Sequence, residues 1–277
     1  MQHVREATAE GYCRMVKFLS KLGNLDDTTR MKTLICTHSV SEGRKDLLAN
    51  AYNYYVKYRR LTWTKPRFIR EDKPIFLPLD FELDQLIANA YPKMSIFLQF
   101  LKETGANSGE ACKNQWKDID IKRKTVSIRP TKNHASRTLP ISDNLISRLV
   151  TLPSTENKDN IWNCRKLNGF RWRYERHRNV LSKKLNNHRL HEIAFRNFRH
   201  WKATHEYYKT KDILHVKWFL GHKRLENTLV YTHLVNFESD EYCFKTAKSI
   251  DEASVLIEAG FEYVTEMNGL KLFRKRK

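Results

Sequence analysis

Three side chains in the second half of the chain are of types that could act together on a phosphate group. Arg199 precedes a Gly-His pair, Gly221 and His222, and Tyr231 follows that histidine by nine positions. Gly221 is predicted to end a helix over about 212–220, so that His222 is offered from a turn. A guanidinium group stays charged at any working pH and can donate to two phosphate oxygens at once. A tyrosine hydroxyl can displace one side of a phosphodiester and retain the phosphate as an ester, which keeps the bond energy needed for rejoining. These residues therefore predict nucleophilic attack on a phosphodiester.

The order and spacing of these side chains resemble the tyrosine recombinases, the phage-integrase and Xer class. That family carries a His-x-Leu-Arg-His box, then Leu-Gly-His, then a tyrosine nine residues past the last histidine. Arg196–His200 (RNFRH), Leu220–His222 (LGH) and Tyr231 are similar to these boxes in order and spacing. The sequence between them is most similar to archaeal members. The resemblance implies that Tyr231 attacks DNA to give a 3′-phosphotyrosine and a free 5′ hydroxyl, while Arg199 and His222 hold the phosphate.

Two neighbours of Arg199, Arg196 and His200, are expected to have different roles. Arg196 stands where the family carries histidine or lysine, so the resemblance implies that it too contacts the phosphate. A guanidinium does not release a proton at neutral pH, so Arg196 is not expected to shuttle one. His200 is expected to brace its helix through a buried hydrogen bond.

The family's first catalytic arginine falls on Asn107 in this chain. Residues 104–111 (TGANSGEA) resemble the family's Thr-Gly-x-Arg-x-Ser-Glu box. An amide is neutral, so the transition state would lose a cation, and loss of one such donor slows comparable reactions by about a hundredfold to a thousandfold. Lys102, Lys113 and Arg129 are candidate replacements for the missing charge.

A lysine between two predicted strands is the candidate general acid. The segments 118–121, 125–129 and 138–141 have the apolar alternation of short strands. The family carries a lysine on this β-hairpin, which enters the minor groove and protonates the leaving 5′ oxygen. Lys132 matches that position, so the resemblance assigns it this role. The alternative is a solvated turn lysine, because the chain is rich in basic residues.

The charge balance indicates a polyanionic partner. The chain has 51 lysine and arginine residues against 31 aspartate and glutamate residues, a net charge of +20. Basic residues cluster at 57–70, 165–189 and 274–277. Such clusters are typical of proteins that bind nucleic acid, so we expect double-stranded DNA as the partner and binding that weakens steeply with salt. The alternative for the middle cluster is a solvated basic face on a core helix.

Several other classes of protein are not expected. The apolar runs are far shorter than the ~18 residues that span a membrane, and no secretory signal opens the chain. We therefore expect a cytoplasmic, nucleoid-associated protein without a membrane partner. The five cysteines are odd in number and scattered, so neither a disulfide framework nor a zinc site is predicted. Without a glycine-rich phosphate loop, we expect no nucleotide cofactor, no metal and no small-molecule substrate.

The length allows two or three modules. Residues 1–60 are predicted to be helical, and the family carries its core-binding domain, which clamps DNA, at this position. The segment 61–78 is the predicted linker, and 79–236 is the predicted catalytic domain. Residues 237–277 have the pattern of a β-α-β-β appendage, in which Ser249 and Glu252 form a capping box that begins the helix. Its expected role is assembly or accessory DNA contact. In recombinases this segment commonly docks on a neighbouring protomer.

The fold class expected is therefore mainly α with a small antiparallel β-sheet: a tyrosine-recombinase catalytic domain after a helical core-binding domain. The expected function is site-specific DNA recombination by a tetramer that forms on DNA, with activity reduced if Asn107 leaves a charge missing. A catalytically inactive DNA-binding protein on the same fold is one alternative. A type IB topoisomerase-like nicking and closing enzyme is the other.

Overall fold

The structure is a computed structural model that describes residues 6–69, 74–130, 134–152, 159–163, 167–234, 242–267 and 269–276. These residues are mainly helical, with two small antiparallel sheets, as the sequence predicts. The chain divides into two compact units, Met1–Pro74 and Ile75–Lys277.

The first unit is helical in its described part. Asp27 caps the second helix, because its carboxylate accepts a hydrogen bond of 2.9 Å from the backbone N–H of Arg30. The buried Tyr52 donates its hydroxyl hydrogen to the carbonyl of Leu25 at 2.7 Å, which ties the third helix to the loop before the second. The helices are α1 (Glu6–Leu19), α2 (Thr28–Thr37) and α3 (Glu42–Arg59).

The helices of the second unit surround α5, whose apolar residues are buried almost continuously. Phe97 and Phe100 on α5 meet the ring of Trp162 at centroid distances of 5.0 and 5.5 Å. Phe198, on a later helix, is fully buried in the same core. The helices in this part of the unit are α4 (Asp80–Asn89), α5 (Pro92–Thr104), α6 (Ser108–Ala111), α7 (Asp143–Val150), α8 (Leu167–Lys184), α9 (Phe195–Thr210), α10 (Ile213–Leu220) and α11 (Glu226–Leu229).

The predicted small sheet is confirmed within one or two residues at each end. It contains β1 (Ile119–Asp120), β2 (Thr125–Ile128) and β3 (Arg137–Pro140), antiparallel and in that order. Val126 and Leu139 lie opposite each other and are buried, which fixes the register against the core.

The predicted end of α10 at Gly221 is also confirmed. Gly221 has φ +69°, a conformation that glycine adopts without a Cβ clash. Its carbonyl accepts a hydrogen bond of 2.9 Å from the N–H of Ala135. A Cβ at this position would lie 2.7 Å from the Ala135 carbonyl oxygen and 2.9 Å from Nη1 of Arg137. The chain after α10 therefore packs directly against the segment that leads into β3.

The C-terminal segment has the predicted β-α-β-β pattern. Ser249 caps its helix, accepting from the N–H of Glu252 at 3.2 Å, while the Glu252 side chain accepts from the N–H of Lys248 at 2.7 Å. A small separate core contains Ala247, Ala253, Leu256, Phe261 and Phe273. The elements are β4 (Tyr242–Ala247), α12 (Ile250–Glu258), β5 (Glu262–Met267) and β6 (Leu270–Arg276), with sheet order β4-β6-β5.

Cys112 is disulfide-bonded, although the odd number and wide scatter of the cysteines predicted no disulfide framework. Within the described ranges, no helix combines the length and the apolar character needed to cross a membrane.

Replacement of Gly221 by alanine tests this packing. The left-handed backbone alone costs a non-glycine residue about 1–2 kcal/mol, and the clash with the Ala135 carbonyl adds to that. We expect Gly221→Ala to lower the free energy of unfolding by at least this amount in urea titrations followed by circular dichroism.

Gly169→Ala is the matched control. Gly169 lies inside α8 and its added Cβ would meet nothing within 4 Å, so the change should be neutral or stabilise the helix by about 0.5–1 kcal/mol. Equal unfolding midpoints for the two variants would contradict the packing described at Gly221.

Candidate active site

Arg199 lies on α9 and is 5 % exposed. Its Nη1 donates to the carbonyl of Gly105 at 2.8 Å, and its Nη2 donates to the carbonyl of Leu220 at 2.7 Å. These carbonyls stand at the C-terminal ends of α5 and α10, where the helix dipole favours a positive charge. The guanidinium therefore joins three helices and still keeps N–H donors for a ligand.

The charge on Arg199 is poorly solvated. Burial, reinforced by the nearby charge of Arg137, lowers the pKa of Arg199 to about 10, against opposing effects of Glu110 and Tyr231. The group stays protonated at neutral pH. A desolvated cation of this kind binds an anion more strongly than a solvated one does.

Tyr231 follows α11 and is 2 % exposed. Its hydroxyl oxygen lies 3.1 Å from Nδ1 of His200 on α9. Burial raises the pKa of Tyr231, partly offset by the charge of Arg199, so the phenol is protonated. Burial and the charges of Arg196 and Arg199 lower the pKa of His200 to about 4. The imidazole of His200 is therefore neutral. If its hydrogen is on Nε2, Nδ1 accepts a hydrogen bond from the Tyr231 hydroxyl.

His222 is offered from the turn after α10, as the sequence predicts. Its Nδ1 lies 3.0 Å from the hydroxyl oxygen of Thr228, which is fully buried. Burial lowers the pKa of His222 to about 3, with Arg199, His134 and Arg137 acting in the same direction. A neutral ring carries one N–H. If Thr228 donates to Nδ1, that N–H is on Nε2 and is available to a phosphate oxygen.

Asn107 stands immediately before α6, and a buried cluster lies beside it. The backbone N–H of Asn107 donates to Oε2 of Glu110 at 3.2 Å. Glu110 also accepts from Nη2 of Arg137 at 3.0 Å, and its Oε1 lies 2.6 Å from Nδ1 of His134. Burial opposes ionisation of Glu110, but these partners together lower its pKa to about 2. The carboxylate is therefore ionised.

Two of the three cations proposed from the sequence as replacements at Asn107 are engaged elsewhere. Lys102 Nζ bonds carboxylate oxygens of Asp84 at 2.6 Å and Asp80 at 3.0 Å. Arg129 bonds Asp118, at 2.7 Å. Lys113 is exposed. The described cations closest to the site are instead Arg137 and Arg199.

The remaining predicted site residues have separate outcomes. Arg196 is exposed, one turn before His200 on α9, and its charge contributes to the lowered pKa of His200. Lys132 lies outside the described residues. Glu110 belongs to the segment 104–111 that resembles the family's Thr-Gly-x-Arg-x-Ser-Glu box, but the resemblance gave it no predicted role. His134 and Arg137 had no signal of their own, because only tertiary packing brings them to Glu110.

The basic cluster on α8 has one buried and one exposed face. Phe170 and Tyr174 are buried, whereas Arg171, Arg173 and Arg176 are exposed. The helix therefore has the buried apolar face and the exposed basic face of the alternative interpretation, and its contact with DNA stays a prediction.

Known proteins resemble this chain in sequence and in fold. Residues 80–237, more than half of the chain, match the model of the phage integrase family. A probable integrase/recombinase protein of Methanocaldococcus jannaschii is 28 % identical over 149 residues, which cover 50 % of this chain and 45 % of that protein. The aligned region thus spans less than half of that relative's length.

Solved structures show the same fold at low sequence identity. The Tn1549 transposon integrase in complex with transposon right end DNA has a TM-score of 0.64 at 14 % identity, covering 86 % of this chain and 92 % of that chain. A lambda integrase dimer bound to a core site has a TM-score of 0.61 at 13 % identity, covering 83 % and 72 %. The chain therefore belongs to the phage integrase family and has the tyrosine recombinase fold.

Proposed function

We propose that the protein is a site-specific DNA recombinase that cleaves and rejoins DNA strands through a 3′-phosphotyrosine at Tyr231. The observation that carries this proposal is the convergence of a buried phenol, a desolvated guanidinium and a neutral imidazole at Tyr231, Arg199 and His222. Relatives with this fold are described as integrases and site-specific recombinases bound to DNA.

The proposed reaction begins with attack of the Tyr231 oxygen on the scissile phosphorus. The phenol proton passes to His200, whose Nδ1 lies 3.1 Å from that oxygen. Arg199, His222 and the exposed Arg196 donate to the non-bridging oxygens as charge accumulates on them. The bond from phosphorus to the 5′ oxygen breaks, and that oxygen takes a proton to leave as a hydroxyl.

The proton donor proposed for the leaving oxygen is Lys132, on the basis of its match to the family's hairpin lysine. The reverse sequence rejoins the strand, because attack of a 5′ hydroxyl on the phosphotyrosine returns the proton to the tyrosine oxygen. Neither a metal nor a nucleotide is needed in this scheme.

Binding to double-stranded DNA is supported by the net charge of +20 and by the exposed arginines of α8. Because Tyr231 is 2 % exposed, the phenol must turn outward before a phosphate can reach it. We propose that this occurs on DNA, within a tetramer. Residues 1–60 would clamp the duplex, 61–78 would link them to the catalytic domain 79–236, and 237–277 would contribute to assembly.

A second candidate function is DNA binding without catalysis. Asn107 supports it, because Asn107 is neutral and neither Lys102 nor Arg129 replaces the missing positive charge: both bond aspartates instead. Covalent trapping separates the two candidates.

Trapping on nicked suicide duplexes tests Tyr231 as the nucleophile. On a duplex that footprinting shows to be bound specifically, the native protein should form a covalent protein–DNA adduct on a denaturing gel. Tyr231→Phe should abolish the adduct, because it removes the attacking oxygen. Tyr174→Phe is the matched control, since Tyr174 is equally buried but its hydroxyl bonds the carbonyl of Ile193; this variant should react.

The outcomes of trapping are distinct. An adduct that survives Tyr231→Phe would refute this residue as nucleophile. An adduct only with Asn107→Arg would favour the DNA-binding function for the natural chain. Relaxation of supercoiled DNA that lacks the specific site would favour a topoisomerase-like activity.

The role of His200 as proton acceptor predicts a specific defect. His200→Asn keeps an acceptor near the phenol but cannot take its proton, so cleavage should slow by about a hundredfold or more. His205→Asn, at an exposed position of the same helix, should cleave at the native rate. Because the pKa of His200 is about 4, its contribution should stay constant from neutral pH down to about pH 5 and decline only below that.

A more acidic phenol distinguishes proton transfer from positioning. Ring-fluorinated tyrosine at position 231 should narrow the rate difference between native protein and His200→Asn, since less help is then needed to remove the proton. An unchanged difference would assign His200 a positioning role only.

The assembly role of the C-terminal segment predicts a change in the size of the DNA complex. Its core is separate, and Ile250, Val255 and Ile257 on α12 are 59 to 75 % exposed, as expected of a docking surface. Removal of residues 240–277 should reduce the size of the complex in gel filtration on DNA. An unchanged size with weaker DNA affinity would instead indicate accessory DNA contact.

A further inference from the structure

His134 is the part of the site to which nothing above assigns a chemical role. It precedes β3, and its ring nitrogen Nδ1 lies 2.6 Å from Oε1 of Glu110. Because the Glu110 carboxylate is ionised, it can only accept, and Nδ1 must carry the hydrogen. The other ring nitrogen, Nε2, has no hydrogen-bond partner among the described residues, and 19 % of the side chain remains exposed.

His134 lies beside Asn107, where the family carries its first catalytic arginine. Nδ2 of Asn107, the residue at the family's arginine position, approaches Nδ1 of His134 at 3.4 Å. His134 also forms a β-bridge with His222, and the two ring centroids are 5.7 Å apart. The two imidazole rings are therefore neighbours on adjoining backbone segments. A phosphate held by His222 would lie next to the His134 ring.

The charges around His134 explain why a second proton on its ring matters. Glu110 on α6 and Arg137 on β3 form a fully buried ion pair at 3.0 Å, and their charges cancel. Arg199 on α9 then supplies the net positive charge of this described cluster, since His222 is neutral. A protonated His134 would add one more positive charge to the cluster.

We propose that His134 is a catalytic residue. Its imidazolium, oriented at Nδ1 by Glu110, donates Nε2–H to a non-bridging oxygen of the scissile phosphate and supplies the positive charge that Asn107 lacks. This inference rests on the proposed recombinase function. No proton is exchanged in the step: His134 stays protonated, and the charge it stabilises forms and disappears on the phosphate.

Arg137 does not fill this role. Its side chain is fully buried, and its Nη2 is committed to Glu110. Its position under Gly221, where Nη1 would lie 2.9 Å from an added Cβ, places it behind the turn that carries His222. Arg137 neutralises Glu110, whereas His134 retains an exposed edge.

The experiment compares four proteins: native, His134→Asn, Asn107→Arg, and the double variant. An asparagine amide can take the place of Nδ1–H and keep the bond to Glu110, but it is neutral and cannot reach as far as Nε2. Single-turnover cleavage of a suicide duplex is measured from about pH 5.5 to pH 8.5, where imidazole changes its charge. DNA affinity is measured on the same duplex.

We expect the native cleavage rate to fall as the pH rises, because the imidazolium is lost. His134→Asn should cleave about a hundredfold more slowly at the low end of the range and lack this dependence, with unchanged DNA affinity. Asn107→Arg should remove the pH dependence and restore the rate of the double variant, because a guanidinium keeps its charge throughout. The other described site groups titrate outside the range: the pKa of His200 is about 4, that of His222 about 3, and that of Tyr231 is raised.

A scissile methylphosphonate provides a readout that a purely structural role would not affect. It replaces one charged phosphate oxygen by a methyl group, so a cation is needed less. The difference between native protein and His134→Asn should shrink on this substrate. A difference of the same size on both substrates would mean that His134 only holds the fold of the site.

The remaining outcomes separate this inference from the proposed function. Native-like cleavage by His134→Asn overturns the inference alone. An adduct formed only by Asn107→Arg also overturns it, since His134 would then supply no effective charge. If neither native protein nor Asn107→Arg forms an adduct on a specifically bound duplex, the proposed function fails, and the inference fails with it.

Discussion

The site depends on one buried guanidinium held between the ends of two helices. Arg199 reaches from α9 to the last carbonyls of α5 and α10, through Gly105 and Leu220. A charge at this depth is tolerated because the carbonyl ends of two helix dipoles face it. The same two bonds hold the ends of α5 and α10 beside each other, and therefore the residues that follow: Asn107 after one helix and His222 after the other. Arg199 thus positions the residues proposed to act on the phosphate.

Burial and neighbouring charges fix the protonation states of the two histidines nearest Arg199 at neutral pH. His200 and His222 stay neutral because burial and neighbouring cations lower their pKa values to about 4 and about 3. A neutral imidazole has one nitrogen that accepts and one that donates, so His200 can accept from the phenol while His222 offers N–H toward the site. The negative charge of Glu110 is paired with the positive charge of Arg137, so the positive charge of Arg199 is left for a ligand. A site of this composition favours a ligand that brings negative charge and few protons.

Local signals in the sequence were sufficient for much of the fold. Gly221 and Ser249 mark helix ends through backbone chemistry that operates within a few residues, and both are observed as predicted. The fate of charged side chains was not predictable in the same way. Lys102 and Arg129 were candidates for the site because they are near Asn107 in sequence, yet each bonds aspartates that the fold brings closer. His134 gained its partners only through packing across the hairpin, and no spacing rule describes that contact.

The burial of Tyr231 limits where the proposed reaction can damage DNA. The proposed nucleophile, with 2 % of its surface exposed, is out of reach of the many phosphates that a basic protein would meet while it slides along DNA. Turning the phenol outward breaks its contact with His200 and leaves a gap in the core, so the outward form is rare unless new contacts stabilise it. Under the proposed mechanism, strand scission is thereby restricted to places where binding supplies that energy. The selectivity of such a protein for its target site can come from the rarity of the conformation with the phenol turned outward, as much as from recognition of bases.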